Sequence, residues 1–490
     1  MSHIPEIGEL LIRDDRSVKE ALAVIDANAQ GICFVVDASQ KLVGVVTDGD
    51  IRRALLGGKT LDTPVAQIMV VNFTSLPVNT PLDQVLAKLS STVRHIPLVD
   101  EKNIPVDYAS FGRAHRIPVM TPQLNGKELQ YVTECITTGW ISSQGAFVKR
   151  FEKDFAAYCK APFGVAVSNG TVAIHLALAA LGIKEGDEVI VPDLTFAASV
   201  NAVIYCGATP VLADVDAETW TLSPESVRSL ITPKTKAIMP VHLYGHPCDM
   251  DPLLAIAKEH NLLVVEDCAE ALGTLYKGKH VGTFGQAATF SFFGNKTITT
   301  GEGGMVLFND EAIYNKALVL RDHGMSKQKR YWHDFVGFNY RMTNIQAAIG
   351  CAQLERLDEF VNAKRRMAKI YNEGLSSLSH IQLPAEKDFA FNGYWLYTCI
   401  IEPGTGVSRD ELIEKLAKNG VETRPVFYPL HEMPPYVQYV RKGQAFPVTE
   451  YLSRNGISLP SSVTITQEEQ SAILNAVHSA YSMRTLNVKY

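Results

Sequence analysis

A lysine stands where a strand-like run gives way to glycines. In Ala-Thr-Phe-Ser-Phe-Phe-Gly-Asn-Lys (288–296) an apolar, aromatic stretch ends in Gly-Asn, and Lys296 follows at once. The next residues, Thr-Ile-Thr-Thr-Gly-Glu-Gly-Gly (297–304), read as too rich in glycine and threonine to form a core element. A lysine at the mouth of a buried sheet is partly desolvated. Desolvation disfavours the ammonium and frees the amine as a nucleophile. An amine that attacks a carbonyl is what Schiff-base chemistry requires. Taken alone, such a lysine reads as a surface residue in a turn. Two groups upstream give it a context.

The first is Asn-Leu-Leu-Val-Val-Glu-Asp (261–267), a continuous apolar run ending in acids. It reads as a buried parallel strand with Asp267 at its carboxyl end, where open α/β sheets place ligands. The residues before it, 251–260, have helical spacing. Pyridoxal phosphate acts as an electron sink only while its ring nitrogen stays protonated, and a neighbouring carboxylate keeps it so. The other reading of Asp267 is an N-cap for a following helix. The second group is Phe-Gly-Val-Ala-Val (163–167), then Ser168, Asn169, Gly170 and Thr171, then an apolar helix over 172–181. Helix-terminal N–H groups and the Thr171 hydroxyl suit a phosphate, although the four residues also make an ordinary cap. Phe196, after the next strand, offers a ring to stack on a cofactor, or packs in the core.

These segments stand in the order of a known family. From about residue 117 onward the chain resembles the DegT/DnrJ/EryC1/StrS family of pyridoxal-phosphate-dependent sugar aminotransferases. The resemblance rests on Gly-Trp-Ile-Ser-Ser-Gln-Gly (139–145), Ser-Asn-Gly-Thr (168–171), Val-His-Leu-Tyr-Gly (241–245), Glu-Asp-Cys-Ala-Glu-Ala (266–271), Ser-Phe-Phe-Gly-Asn-Lys (291–296), Gly-Glu-Gly-Gly (301–304) and Gly-Phe-Asn-Tyr-Arg-Met-Thr (337–343). Arg-Pro-Val-Phe-Tyr-Pro-Leu-His (424–431), with Glu270 where many relatives carry Gln or His, resembles the subgroup acting on GDP-4-keto-6-deoxymannose. The resemblance implies a fold-type I aminotransferase: a large α/β domain with a mainly parallel sheet and a small α+β C-terminal domain. By it Lys296 forms the Schiff base and Asp267 pairs with the pyridinium nitrogen. Glu270 lies near the ring hydroxyl, Ser291, Gly170 and Thr171 hold the phosphate, and Phe196 stacks on the ring. Asn339 reaches the phosphate of a neighbouring subunit, so the active unit is at least a homodimer. Ser142, Ser143, Arg341, Arg424 and His431 are implied substrate-side positions. The family's dehydratase branch replaces the lysine by histidine; a lysine here favours transamination.

The first hundred residues are a different unit. The spacing predicts a helix over 17–29, strands over 31–37 and 41–50, and a helix opening at 51–56. The order recurs weakly as a helix over 81–89 and a strand over 95–100. Such a repeat implies two copies of one small module. It resembles a CBS pair, a module that commonly binds adenine nucleotides, with Thr47 and Asp50 at the usual ribose-contacting positions. The second copy lacks the matching Thr/Ser-x-x-Asp run, and 104–113 leads into a linker. A module that only packs or assembles is the other reading. Domain limits of 1–112, 113–360 and 361–490 are expected. The last domain should hold a helix over 354–378, a strand over 395–401, a helix over 409–418 and a strand over 421–426.

Composition agrees. A length of 490 residues and a hydrophobic fraction of 46% support several buried cores. A net charge of −6 argues against general nucleic-acid or anionic-membrane binding. The eight cysteines show no paired metal spacing, which fits a reducing cytoplasm, and no metal is expected. Neither a signal peptide nor a membrane span is read from the sequence. The expected activity is transfer of an amino group from glutamate to C4 of a nucleotide-linked 4-keto-6-deoxy sugar. The alternatives are a UDP- or dTDP-linked acceptor, or a nucleotide-sensing regulatory protein with an inactive fold.

Overall fold

Seven short apolar strands form the central sheet of the computed structural model, which describes residues 5–90, 93–110, 116–404 and 406–482. They are β1 (Phe163–Val167), β2 (Glu188–Pro192), β3 (Thr209–Ala213), β4 (Thr235–Ile238), β5 (Leu263–Asp267), β6 (Ala287–Ser291) and β7 (Gly304–Phe308), in the order β1-β7-β6-β5-β4-β2-β3. All run parallel except β7, which is antiparallel to both its neighbours. Strand side chains alternate between faces, and here each face has its own core. Val165, Val167, Val189, Val191 and Val306 pack on one side. Ala166, Ile190, Phe290, Met305 and Leu307 pack on the other. A sheet covered by helices on both faces needs apolar residues at every position, which is why its strands read as unbroken runs. Full burial of each such side chain contributes about 1.5–3 kcal/mol.

The crossovers leave the carboxyl ends of β1, β5 and β6 at one edge. α1 (Gly170–Leu181) follows β1 directly. No helix follows β5 before β6, so Asp267 caps none. The Thr-rich stretch after Lys296 is core after all: Thr297, Ile298, Thr299 and Thr300 are all buried. Their polarity is absorbed locally. Thr299 Oγ1 donates to the Phe292 carbonyl at 3.0 Å, and Thr300 Oγ1 to the Glu302 carbonyl at 2.7 Å. A hydroxyl that donates to nearby backbone is no longer costly to bury. At Gly304 an added Cβ would meet the Asn169 carbonyl oxygen at 2.5 Å, so only glycine lets β7 lie this close to β1.

Towards the C-terminus a smaller antiparallel sheet joins Ile381–Gln382, Tyr397–Ile401, Gly456–Leu459 and Arg424–Pro425 in that order. The helix Arg409–Lys418 has its expected bounds. The strand expected over 421–426 shrinks to Arg424–Pro425. The helix expected over 354–378 runs Leu357–Leu375. Two compact units emerge: residues through Ile117 with Ala417–Val421, and Pro118–Leu416 with the chain from Glu422 onward. The expected boundary at 112 falls outside the described residues, and the one at 360 falls inside the helix Leu357–Leu375.

The N-terminal unit repeats itself. Leu11–Arg13 pairs parallel with Ile32–Val36, which pairs antiparallel with Leu42–Thr47. Leu76–Pro77, His95–Val99 and Pro105–Ser110 repeat that pattern. Residues 105–110 are therefore a strand and not the start of a linker. Proline at its first position gives up no needed N–H, and Tyr108 packs with Phe34 at 6.1 Å between ring centroids.

Candidate active site

Lys296 lies in the turn after β6, its side chain 11% exposed. Its Nζ is 3.6 Å from Glu270 Oε1 and 3.7 Å from the centroid of the Trp395 ring. Burial pulls the amine below the usual lysine range; Glu270 and Asp267 oppose that shift, and Arg424 adds to it. The same burial pushes the Glu270 carboxyl up to about 7 against the pull of Lys296. Its second oxygen accepts the Tyr244 N–H at 2.9 Å. Tyr244 holds a left-handed backbone (φ 52°), and an added Cβ on Gly245 would meet the Tyr394 nitrogen at 2.5 Å. This tight turn aims the amide at Glu270 and lays the ring against Trp395 and Phe427.

Asp267 ends β5, 5% exposed. It accepts the Ser199 hydroxyl at 2.8 Å and the Ala269 N–H at 3.1 Å. Burial raises its carboxyl. Among the described residues no cation forms an ion pair with it. Next to Asp267, Glu266 points the other way and converges with His242 and Cys268 within 4.8 Å. Those atoms are committed: Glu266 accepts the N–H groups of Gly282, Phe284 and Gly285 at 2.7–2.8 Å. His242 Nδ1 accepts the Cys248 N–H at 3.0 Å. The cluster anchors a loop.

The third element is the start of α1. Asn169 caps it, accepting the Val172 N–H at 3.0 Å. An added Cβ on Gly170 would lie 2.8 Å from Ser291 Cβ. Only glycine leaves this space open between the start of α1 and the Ser291 side chain, where helix-terminal N–H groups suit an anion. Pyridoxal phosphate fits what is present: a desolvated amine, a buried carboxylate with no ion pair among the described residues, and room for an anion between two strand ends.

The other expected residues gather elsewhere. Phe196 is 60% exposed and joins the aromatic wall through Phe427, at 6.0 Å between centroids. Arg424 pairs by backbone with Ser458 and lies within electrostatic reach of Lys296. Asn339 and Arg341 form their own cluster: Arg341 ion-pairs with Asp322 and donates to Asn339 Oδ1 at 2.9 Å. Ser143 and Arg341 line a cavity of about 780 Å³ that includes none of Lys296, Asp267 or Glu270. Ser142 is exposed, and its carbonyl accepts the Asn344 N–H. His431 is held by Asp193, whose carboxylate lies 2.6 Å from Nδ1, and it stacks on Phe446. In the N-terminal unit, Thr47 caps the helix Asp48–Leu56 in a reciprocal pair with Asp50, which also ion-pairs with Arg53.

Trp395, Tyr244, Ser199 and Asp193 escaped the sequence reading. Tyr244 lies in Val-His-Leu-Tyr-Gly (241–245), beside a glycine, which is its one local signal.

Comparison with known proteins matches residues 122–478 to the DegT/DnrJ/EryC1/StrS aminotransferase family and residues 7–57 and 65–108 to the CBS domain. The chain is 52% identical over 366 residues to a GDP-perosamine synthase of Escherichia coli O157:H7, covering 75% of this chain and 99% of that protein. It is 50% identical to a GDP-perosamine synthase of Caulobacter vibrioides, covering 74% and 97%. The solved structure of DesV from S. venezuelae is similar with a TM-score of 0.70 at 33% identity, covering 75% of this chain and 99% of DesV.

Proposed function

Because the chain belongs to the DegT/DnrJ/EryC1/StrS aminotransferase family, and is a pyridoxal-phosphate-dependent sugar-nucleotide aminotransferase of fold type I with an N-terminal CBS pair, we propose that it moves the amino group of glutamate to C4 of GDP-4-keto-6-deoxymannose, giving GDP-perosamine. The observation that carries this reading is the 52% identity to a GDP-perosamine synthase over 99% of that protein's length.

When bound, the cofactor supplies an electron sink for the charge that develops at the donor's α-carbon. In this reading Lys296 Nζ would anchor the cofactor, take the proton from that carbon and deliver it to the cofactor. Burial lowers its basicity, which favours the free amine. Asp267 holds a proton on the ring nitrogen, oriented by Ser199 and Ala269. Glu270 sits by the ring hydroxyl. Gly170, Thr171 and Ser291 hold the phosphate, and Phe196 covers the ring. Asn339 of the partner subunit completes the phosphate site. Ser142, Ser143, Arg341, Arg424 and His431 face the sugar nucleotide. Residues 1–112, 113–360 and 361–490 are the proposed domains. A cytoplasmic location suits eight free thiols; among the described residues no helix is long and apolar enough to cross a membrane.

The test is kcat/KM with glutamate against GDP-, UDP- and dTDP-linked 4-keto-6-deoxy sugars. The GDP-linked manno sugar is expected to lead by about tenfold or more, the size of one well-made polar discrimination. A UDP or dTDP sugar in the lead keeps the reaction and discards perosamine.

The N-terminal unit is proposed to bind an adenine nucleotide through Thr47 and Asp50. Calorimetric titration with ATP, ADP and AMP should show binding that Asp50→Ala weakens about tenfold, as expected for loss of a charged hydrogen bond. Heat from none of the three would leave the unit as an assembly element. Removal of residues up to 112 should spare aminotransferase activity, because three quarters of this chain span 99% of the E. coli relative. An inactive remainder would show that the two units depend on each other.

A further inference from the structure

Lys364 lies on the apolar stripe of the helix Leu357–Leu375, in step with Leu357, Phe360, Val361, Met367 and Tyr371, and like them it is buried. It is 0% exposed. Its Nζ donates to the carbonyls of Trp395 at 2.9 Å and Ser461 at 2.8 Å, and lies 3.7 Å from Met120 Sδ. None of these partners is charged. A buried ammonium without a carboxylate is costly, and burial pulls Lys364 down to about 7. A leucine or methionine would fill the stripe without that cost, so packing does not account for the lysine. Its donors do. They tie the helix to the residues flanking two strands of the small sheet, and one of those residues is Trp395.

Trp395 is where this clamp meets the chemistry. Its ring centroid lies 3.7 Å from Lys296 Nζ, and its indole N–H donates to the Asn295 carbonyl at 2.8 Å. One residue therefore covers the amine and also anchors the turn that carries it. Glu270, Asp267 and Arg424 are the charged groups around that amine. The ring face adds support for positive charge on the Lys296 nitrogen.

We propose that Lys364 is a positioning residue for the aminotransferase reaction, pinning the Trp395 main chain so that the indole stays over Lys296 and holds its turn. The proposal rests on Lys296 being the cofactor-bearing amine.

The holoenzyme's visible cofactor band is titrated against pH in the wild type, Lys364→Met, Trp395→Phe and the double variant. Loss of the ring's support should lower the band's midpoint by about half a pH unit. The double variant should shift no further than Trp395→Phe alone, because both changes act through the same ring. In Lys364→Met, kcat should fall about tenfold while KM for glutamate stays within about twofold. A folded Lys364→Met with the wild-type midpoint and kcat but a lower Tm makes the lysine a stability element only. Additive shifts in the double variant show that Lys364 does not act through Trp395. Either result overturns the proposal. If Lys364→Met does not accumulate, Lys364→Leu, which also removes both donors, is read in the same way. A visible band that survives Lys296→Ala would strike the Lys296 assignment itself and is read from a different protein, so the two failures stay apart.

Discussion

Lys296→Ala should remove the visible absorption of the cofactor-loaded enzyme and lower turnover at least about a thousandfold. The expectation combines two losses. The covalent anchor disappears, and so does the group that moves the proton at the donor's α-carbon; positioned acid–base catalysis alone is worth about 10²–10⁴. The variant should fold. Its side chain is held by an electrostatic contact and a ring, and the turn keeps its own backbone bond from the Lys296 N–H to the Phe293 carbonyl at 2.9 Å. Spectra of purified wild type and variant, each incubated with pyridoxal phosphate, make the comparison. An unchanged band in the variant would place the covalent bond on another lysine and remove the basis of the site.

Asp267→Asn should retain the cofactor and lose about a hundredfold or more in kcat. The proposed anchor at Lys296 and the proposed phosphate contacts at Gly170 and Ser291 are untouched, so loading should persist. A neutral amide cannot hold the ring nitrogen protonated, and the electron sink weakens. The substitution is gentle on packing, because Asn is nearly isosteric and can still accept one of the two hydrogen bonds that Ser199 and Ala269 now donate. The measurement is kcat at saturating glutamate and cofactor. Near-normal turnover would reduce Asp267 to a structural residue at a strand end.

Asp267 and Lys296 were legible because each closes a continuous apolar run, and such runs in an α/β chain have their ends at one edge. The cradle at Ser168–Thr171 was legible for a similar reason, as strand, small residues and apolar helix follow one another locally. Lys364 left a signal that went unread: a lysine on the apolar stripe of an amphipathic helix. Asp358, Glu359, Arg365 and Arg366 stand on the same helix. The Thr-rich stretch at 297–300 misled for the opposite reason. Composition records polarity, and only the folded backbone shows that the hydroxyls find carbonyls.

By itself the sequence determined the parallel sheet, the lysine and aspartate at its carboxyl edge, the glycine cradle, the N-terminal repeat and the family. Each follows from local spacing or from motifs contiguous in the chain. Tertiary structure alone decided that Trp395 covers an amine 99 positions before it, that Ser199 orients Asp267 from 68 residues away, and that His431 is tied to Asp193 across 238. It also decided that Arg341 ion-pairs with Asp322 and donates to Asn339. The reason is physical. Local propensity and hydrophobic period fix what each segment becomes, whereas contacts between distant segments depend on how strands order themselves in the sheet, which no single segment encodes.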